Sequence, residues 1–194
     1  MPRSTGVKER VERAAIELFA ARGVAGVSIG DISTAAGVSQ GALYRHYPSK
    51  EDLAWSLFSA PYLHAGAELD AIRQNHAGFA ARVEAMIAHF CALYDCDPAL
   101  FRFMLIAQHG LLPRIRPEQR TAVEAVADTV ADAIQAGEIG RVDPVAATAA
   151  IFGIVLQTAL FHIYGRLTGA LAERAFGLAR AALAAVEALS ESAT

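Results

Sequence analysis

The chain has 194 residues, 17 Lys and Arg against 20 Asp and Glu, and a formal net charge of −3. That length suffices for one or two domains with a proper core, and the overall charge gives no basic signature. Only two cysteines occur, Cys91 and Cys96, which argues against a disulfide framework and fits a reducing cytoplasm. The opening Met-Pro-Arg-Ser-Thr-Gly shows no apolar core of a signal peptide. Residues 1–60 carry a net +1, with Arg3, Lys8, Arg45 and Lys50 among the basic groups, and the rest carry −4.

Alternating strand patterns are absent, while Ala and Leu abound and Gly and Pro fall at apparent helix ends, so the expected class is all-α. Ser28 and Asp31 form a capping box at the start of a short helix. Ile29, Ile32 and Ala36 recur at helical spacing, and Gly37 supplies a left-handed stop. Val38 plugs the angle. Ser39 caps the next helix, through Gln40, Gly41, Ala42, Leu43, Tyr44, Arg45 and His46, which Pro48 ends. Ser49 and Asp52 form another capping box. A helix, a tight Gly-containing turn and a second helix make a helix-turn-helix, whose second helix enters the DNA major groove.

The run AAGVSxGxLYRHYxSKEDL, Ala35 to Leu53, closely resembles the DNA-binding domain of the TetR (tetracycline-repressor) family. The preceding KERVERAAIELFAARGVAGVSIGDIS resembles that family's first helix and lead-in. Tyr47 stands where the family usually has Phe, and Gly30 where some members carry a longer, base-reading side chain. The resemblance implies an N-terminal three-helix helix-turn-helix DNA-binding domain, residues 1–49. A larger helical ligand-binding and dimerisation domain, residues 50–194, would follow it.

The candidate DNA-binding residues are Ser28, Ser39, Gln40, Gly41, Ala42, Tyr44, Arg45, His46 and Lys50. Leu43 and Val38 are read as core, and Tyr47 as a ring packed beneath the next helix. Gln and Arg carry the donors and acceptors that read adenine and guanine edges. In matching members of the family the tyrosine equivalent to Tyr44 reaches phosphate. Lys50 at a helix start opposes the dipole, and a phosphate partner would explain it. A solvated surface charge is an even alternative for Arg45.

The remaining helices are expected from Lys50 toward Ala60, where Pro61 kinks or ends the helix; from Phe79 to about Tyr94; and from Pro98 to near Gly110. A short connection over Leu112–Arg116 leads to a long helix from Glu118 to Ala136. Asp143-Pro144 caps a helix to Tyr164, and the last covers roughly Leu171–Leu189. Val145–Ile163 is long and apolar enough to span a bilayer. Its Thr148, Gln157, Thr158 and His162 favour a buried helix instead, with no membrane as partner.

In that helix Ala147, Ile151, Ile154 and Phe161 are expected on one side, and Phe152, Val155 and Ala159 on another. A helix apolar on every side must be covered twice. A homodimer through Ala146, Ala150, Gly153, Ile154, Gln157 and Phe161, with the preceding helix completing a four-helix interface, follows from the resemblance; a monomeric bundle is the alternative. Trp55, Phe58, Tyr62, Met86, His89, Phe90, Phe103, Met104 and His109 offer walls for a small apolar or aromatic effector, though each alone reads as core. No catalytic motif, cofactor motif or structural zinc spacing is found, and an enzyme is not expected.

The expected function is a ligand-responsive transcriptional regulator, most readily a repressor. It would be released from a double-stranded operator with an inverted repeat. A regulator without a small-molecule effector, and a helical enzyme or carrier, are the alternatives.

Overall fold

The computed structural model describes residues 6–191, so Arg3 lies outside the described residues. Every regular element among them is helical: α1 Val7–Arg22, α2 Ile29–Ala36, α3 Gln40–Tyr44, α4 Lys50–Asn75, α5 Phe79–Cys96, α6 Pro98–Leu111, α7 Ala122–Gln135, α8 Pro144–Ile163 and α9 Ala175–Glu191. Short 3-10 turns at Leu112–Arg114 and Ala172–Arg174 complete the set. The chain divides into two compact units. One holds the described residues through Tyr62 together with Pro98–Pro117; the other holds Leu63–Asp97 and the chain from Glu118 onward. The packing units therefore do not break at residue 49: the first half of α4 and all of α6 belong with the helix-turn-helix.

In the first unit α1 is the central support, lying against α2, α3 and α6. Its inward face, Val11, Ala15, Ile16 and Phe19, meets Ile32 of α2, Leu43 of α3 and Phe103 of α6 in one buried cluster. Phe19 and Phe103 are in ring contact at 5.6 Å. Arg114 lies over the Trp55 ring at 4.4 Å, tying the short turn to α4.

In the second unit α5 packs on α9 and α7, and α8 lies beside both α7 and α9. Val83, Met86, Ile87 and Tyr94 of α5 are buried with Val126 and Val130 of α7 and Ala179, Ala182 and Val186 of α9. Polar groups fix the connections. Asp95 accepts from the backbone amides of Leu171 and Ala172, and Glu138 from that of Phe79 at the start of α5. Arg120 forks onto Asp70, holding the start of α7 on α4.

Several sequence expectations are corrected. α4 runs through Pro61 to Asn75 rather than ending near Ala60. Proline removes one helical hydrogen bond, and the buried anchors on both sides, Leu57, Phe58 and Leu69, keep the helix going. α7 starts at Ala122 instead of Glu118, because the Thr121–Glu124 capping box sets its first turn. α9 starts at Ala175, after the 3-10 turn that Asp95 holds. α3 stops at Tyr44, leaving Arg45 and His46 beyond the regular helix. There Tyr47 turns inward, 6% exposed, and its hydroxyl donates to Glu12.

The faces of α8 also differ from the expectation. Ala147, Ile151, Val155 and Ala159 are all buried, one i, i+4 row. Val145, Ala149, Gly153, Gln157 and Phe161 form the opposite, exposed row. Val155 and Ala159 thus belong with Ala147, and Phe161 does not.

Candidate nucleic-acid interface

The turn that presents α3 is built as its sequence dictates. Ser28 Oγ accepts from the Asp31 amide at 3.1 Å, and Asp31 accepts from the Ser28 amide at 2.8 Å. These bonds hold the Asp31 carboxyl below its ordinary range, helped by Arg22 at 3.8 Å. Gly37 ends α2 in the left-handed region, φ 64°, where a Cβ would be strained. Ser39 Oγ accepts from the Ala42 amide at 3.2 Å and starts α3. Leu43, fully buried, is the anchor that fixes the rotation of this five-residue helix.

With Leu43 inward, the other side of α3 faces solvent. Ser39, Gln40, Gly41, Tyr44, Arg45 and His46 are exposed, and Tyr44 keeps 49% of its surface. Ala42 and Lys50 are half-buried, and Ser28 is exposed with its hydroxyl engaged in the cap. Lys50 is not a free cation: its Nζ donates to the Val27 carbonyl at 3.0 Å, binding the start of α4 to the lead-in of α2. Two further Nζ protons remain for an anion. An open cleft of about 540 Å³ lies beside α3, lined among others by Arg22, Ser28, Gly30, Thr34 and Gln40. Arg22 and Thr34 were missed in sequence; they occupy exposed positions next to elements that the capping pattern already located. A Cβ built on Gly30 would lie 3.5 Å from Gln40 Nε2, so the bare position leaves that amide uncovered.

The nine candidate pocket residues do not gather in one unit. Trp55, Phe58, Tyr62, Phe103, Met104 and His109 fall in the first, and Met86, His89 and Phe90 in the second. Phe58 and Phe103 are consumed by the core around Phe19. His109 is exposed near the end of α6. A cleft of about 750 Å³ in the second unit, lined among others by Gly78, Phe79, Glu138, Leu183 and Glu187, contains none of the nine. Cys91 is fully buried, which pushes its thiol up to about 11, and Cys96 is exposed.

On α8, Gly153, Gln157 and Phe161 are exposed, and Ala146, Ala150 and Ile154 are half-buried. This is the one helix among the described residues long and apolar enough to cross a membrane, with a mean hydropathy of 1.8. Only 28% of that stretch is buried within a single chain.

Residues 13–56 match the family described as bacterial regulatory proteins, tetR family. MftR of Mycobacterium tuberculosis, a transcriptional regulator named for mycofactocin biosynthesis, is 42% identical over 57 residues, 29% of each chain. That match spans less than a third of the relative's length. The fold is shared more widely. The Bacillus subtilis transcriptional regulator FadR, solved in complex with stearoyl-CoA, superposes with a TM-score of 0.74 at 20% identity, over 92% of this chain and 99% of that one. The fatty acid degradation regulator FadR of Bacillus halodurans gives 0.79 at 17%, over 93% and 97%. Over residues 13–56, the helix-turn-helix is that of the bacterial regulatory proteins of the tetR family, and beyond them the likeness to solved structures is one of fold.

Proposed function

We propose that the protein is a dimeric, cytoplasmic, ligand-responsive transcriptional repressor rather than an enzyme. Residues 1–49 hold the operator, and residues 50–194 carry dimerisation and effector binding. Exposed Gln40 and Tyr44 on a helix capped by Ser39 and anchored by Leu43, with exposed Arg45 and His46 just beyond its end, carry this reading together with the matched family. Gln40 and Arg45 read base edges; Tyr44, Ser28 and Lys50 contact phosphate and set the register.

The exposed row of α8 is the dimer seam. α9, beside α8, exposes Phe176, Gly177, Ala181 and Ala184, whereas the exposed or half-exposed positions of α7 include Glu124, Asp128 and Asp132. We therefore assign α9, instead of the preceding helix α7, as α8's companion in the interface. Two-fold symmetry would then set two recognition helices about 34–36 Å apart, matching an inverted repeat. An effector that binds better to a different spacing shifts the population off DNA.

Two solved neighbours support a lipophilic effector class: one is a regulator in complex with stearoyl-CoA and another a gamma-butyrolactone receptor. Selection of binding sites from random duplex DNA, followed by competition at physiological salt, tests the reading. A recovered inverted repeat bound about 10³-fold or more over random sequence is expected. Retention of DNA without sequence preference would refute it. Release by lipophilic acids or aromatics then separates a ligand-responsive repressor from a constitutive one.

A further inference from the structure

Arg22 stands at the carboxyl end of α1, outside the elements assigned to DNA so far, yet it lines the same cleft as Ser28, Thr34 and Gln40. The chain reversal that follows fixes its place. Gly23 ends α1 with φ 69°. A Cβ on Gly26 would fall 2.5 Å from the Arg22 carbonyl oxygen and 3.5 Å from the Arg22 Cβ, so the turn closes tightly over the root of that side chain. From this root the guanidinium reaches the start of α2 and stops 3.8 Å from Asp31 Oδ2. At that distance the two charges attract without a hydrogen bond. Structural arginines of this chain close on their carboxylates instead: Arg13 on Glu17 at 2.8 Å, Arg73 on Asp132 at 2.7 Å and Arg120 on Asp70 at 2.6 Å. Asp31 has no need of Arg22, because it already accepts from the Ser28 amide and hydroxyl, both at 2.8 Å. Arg22 therefore keeps its N–H donors, on a side chain that is 45% exposed.

The charges around it point to an anion. Asp31, held below its ordinary range by the Ser28 bonds, stays ionised and on its own would repel the phosphates of a duplex. Arg22 offsets that charge at one end of the segment from Val27 to Asp31, and Lys50, bonded to the Val27 carbonyl, stands at the other. Resting on the DNA-binding reading above, we propose that Arg22 is a further phosphate contact, which makes α1 a DNA-touching element as well as the support of the helix-turn-helix. Asp31 is its positioning group: it draws the guanidinium to the edge of the cleft without consuming the donors, and a backbone phosphate accepts them as a pair. The target is phosphate rather than a base edge because Arg22 lies on α1, outside the helix that enters the groove, where the contacts that set register fall.

Fluorescence anisotropy across a salt series tests this with the full chain on two labelled duplexes, one of random sequence and one selected by the parent. Arg22→Gln should weaken binding to both roughly tenfold and leave their ratio unchanged. It should also reduce the slope of log affinity against log salt by about one. Arg22→Lys, which keeps the charge, should hold the parent's slope. Arg13→Gln is the control for net charge. Arg13 lies about two and a half turns earlier, on the opposite side of α1, with its guanidinium spent on Glu17, so its loss should change neither affinity nor slope. Thermal midpoints of all three should stay within the scatter of a surface change. An unchanged slope in Arg22→Gln, a loss confined to the selected duplex, a reduced slope in Arg22→Lys or an equal fall in Arg13→Gln overturns the proposal. A parent that retains neither duplex overturns the DNA-binding reading and this contact together. Parent-like Arg22→Gln beside a parent that binds DNA overturns the contact alone.

Discussion

Leu43 and Tyr44 are adjacent on α3, and substituting each separates holding the recognition helix from using it. Leu43 is fully buried in the cluster around Phe19 and Ile32. Leu43→Ala removes about three carbon groups, a transfer loss near 2.4 kcal/mol, and the cavity left behind brings the total into the range of about 2–5 kcal/mol. Five residues are far too few to sustain a helix alone, so α3 exists only while Leu43 holds it down. For a protein of this size each kcal/mol moves the midpoint by about 2–4 °C, which predicts a fall of roughly 4–20 °C and loss of DNA affinity with it. Tyr44→Phe is the counterpart. The ring is half exposed, and its hydroxyl makes no hydrogen bond among the described residues, so the midpoint should stay within the scatter of a surface change. A hydrogen bond to a charged phosphate is worth about 1.5–3 kcal/mol, so DNA affinity should fall roughly tenfold or more. Thermal melting by circular dichroism and fluorescence anisotropy on a selected duplex measure the two quantities independently. Parent-like DNA affinity in Tyr44→Phe would remove Tyr44 from the phosphate contacts. An unchanged midpoint in Leu43→Ala would refute the rotation assigned to α3.

Lys50→Ala should weaken binding to all sequences about equally and reduce the slope of log affinity against log salt by about one, and an unchanged slope would leave Lys50 with only its bond to the Val27 carbonyl. Gly66→Ala would place a Cβ 2.8 Å from the Thr121 backbone, and overpacking of that kind costs about 1–3 kcal/mol; a parent-like melting curve would contradict so close an approach of α4 to the start of α7. Asp70, hydrogen-bonded by Arg120, has its folded pKa lowered, so its contribution is present above the ordinary carboxylate range and lost as pH falls through the folded value; Asp70→Asn should lower the midpoint at neutral pH and flatten its acid decline. Phe161→Glu, on the exposed row of α8, should turn a dimer into monomers in sedimentation at micromolar concentration, and a parent that already sediments as a monomer would remove the two-half-site mechanism.

The helix-turn-helix was legible in the sequence because its signals are local. Ser28 with Asp31, Gly37, Ser39 and Ser49 with Asp52 are caps and stops that act within a few residues, and each makes its expected contact. The errors arose where distant partners decide. Pro61 looks like a terminator until buried anchors on both sides are known. Glu118 to Arg120 read as helix, although Arg120 is drawn onto Asp70, fifty residues earlier. Arg45 and His46 continue the helical pattern, yet Tyr47 is pulled inward toward Glu12, thirty-five residues earlier. The polar clusters of the second unit, His64 with Glu68 and His89 and Tyr94 with His162, join residues up to 68 apart and left no mark on spacing.

α8 shows where periodicity itself stops being informative. A helix reports its buried face through the contrast between apolar and polar positions. With Ile, Val, Phe, Leu and Ala nearly all round, that contrast vanishes, and sequence says only that everything must be covered. The i, i+4 row through Ala147, Ile151, Val155 and Ala159 became the inward face because α7 and α9 pack there. The opposite row, Val145, Ala149, Gly153, Gln157 and Phe161, is apolar except at Gln157 and is exposed among the described residues. A single chain has no need of apolar residues on that row. Exposed polar side chains there would cost a monomer nothing and would remove the risk of association. The proposed dimer would account for the composition of α8 by setting a second surface against that row. In that proposed dimer the exposed small residues of α9 alongside, Gly177, Ala181 and Ala184, would allow the close approach that a two-fold contact needs.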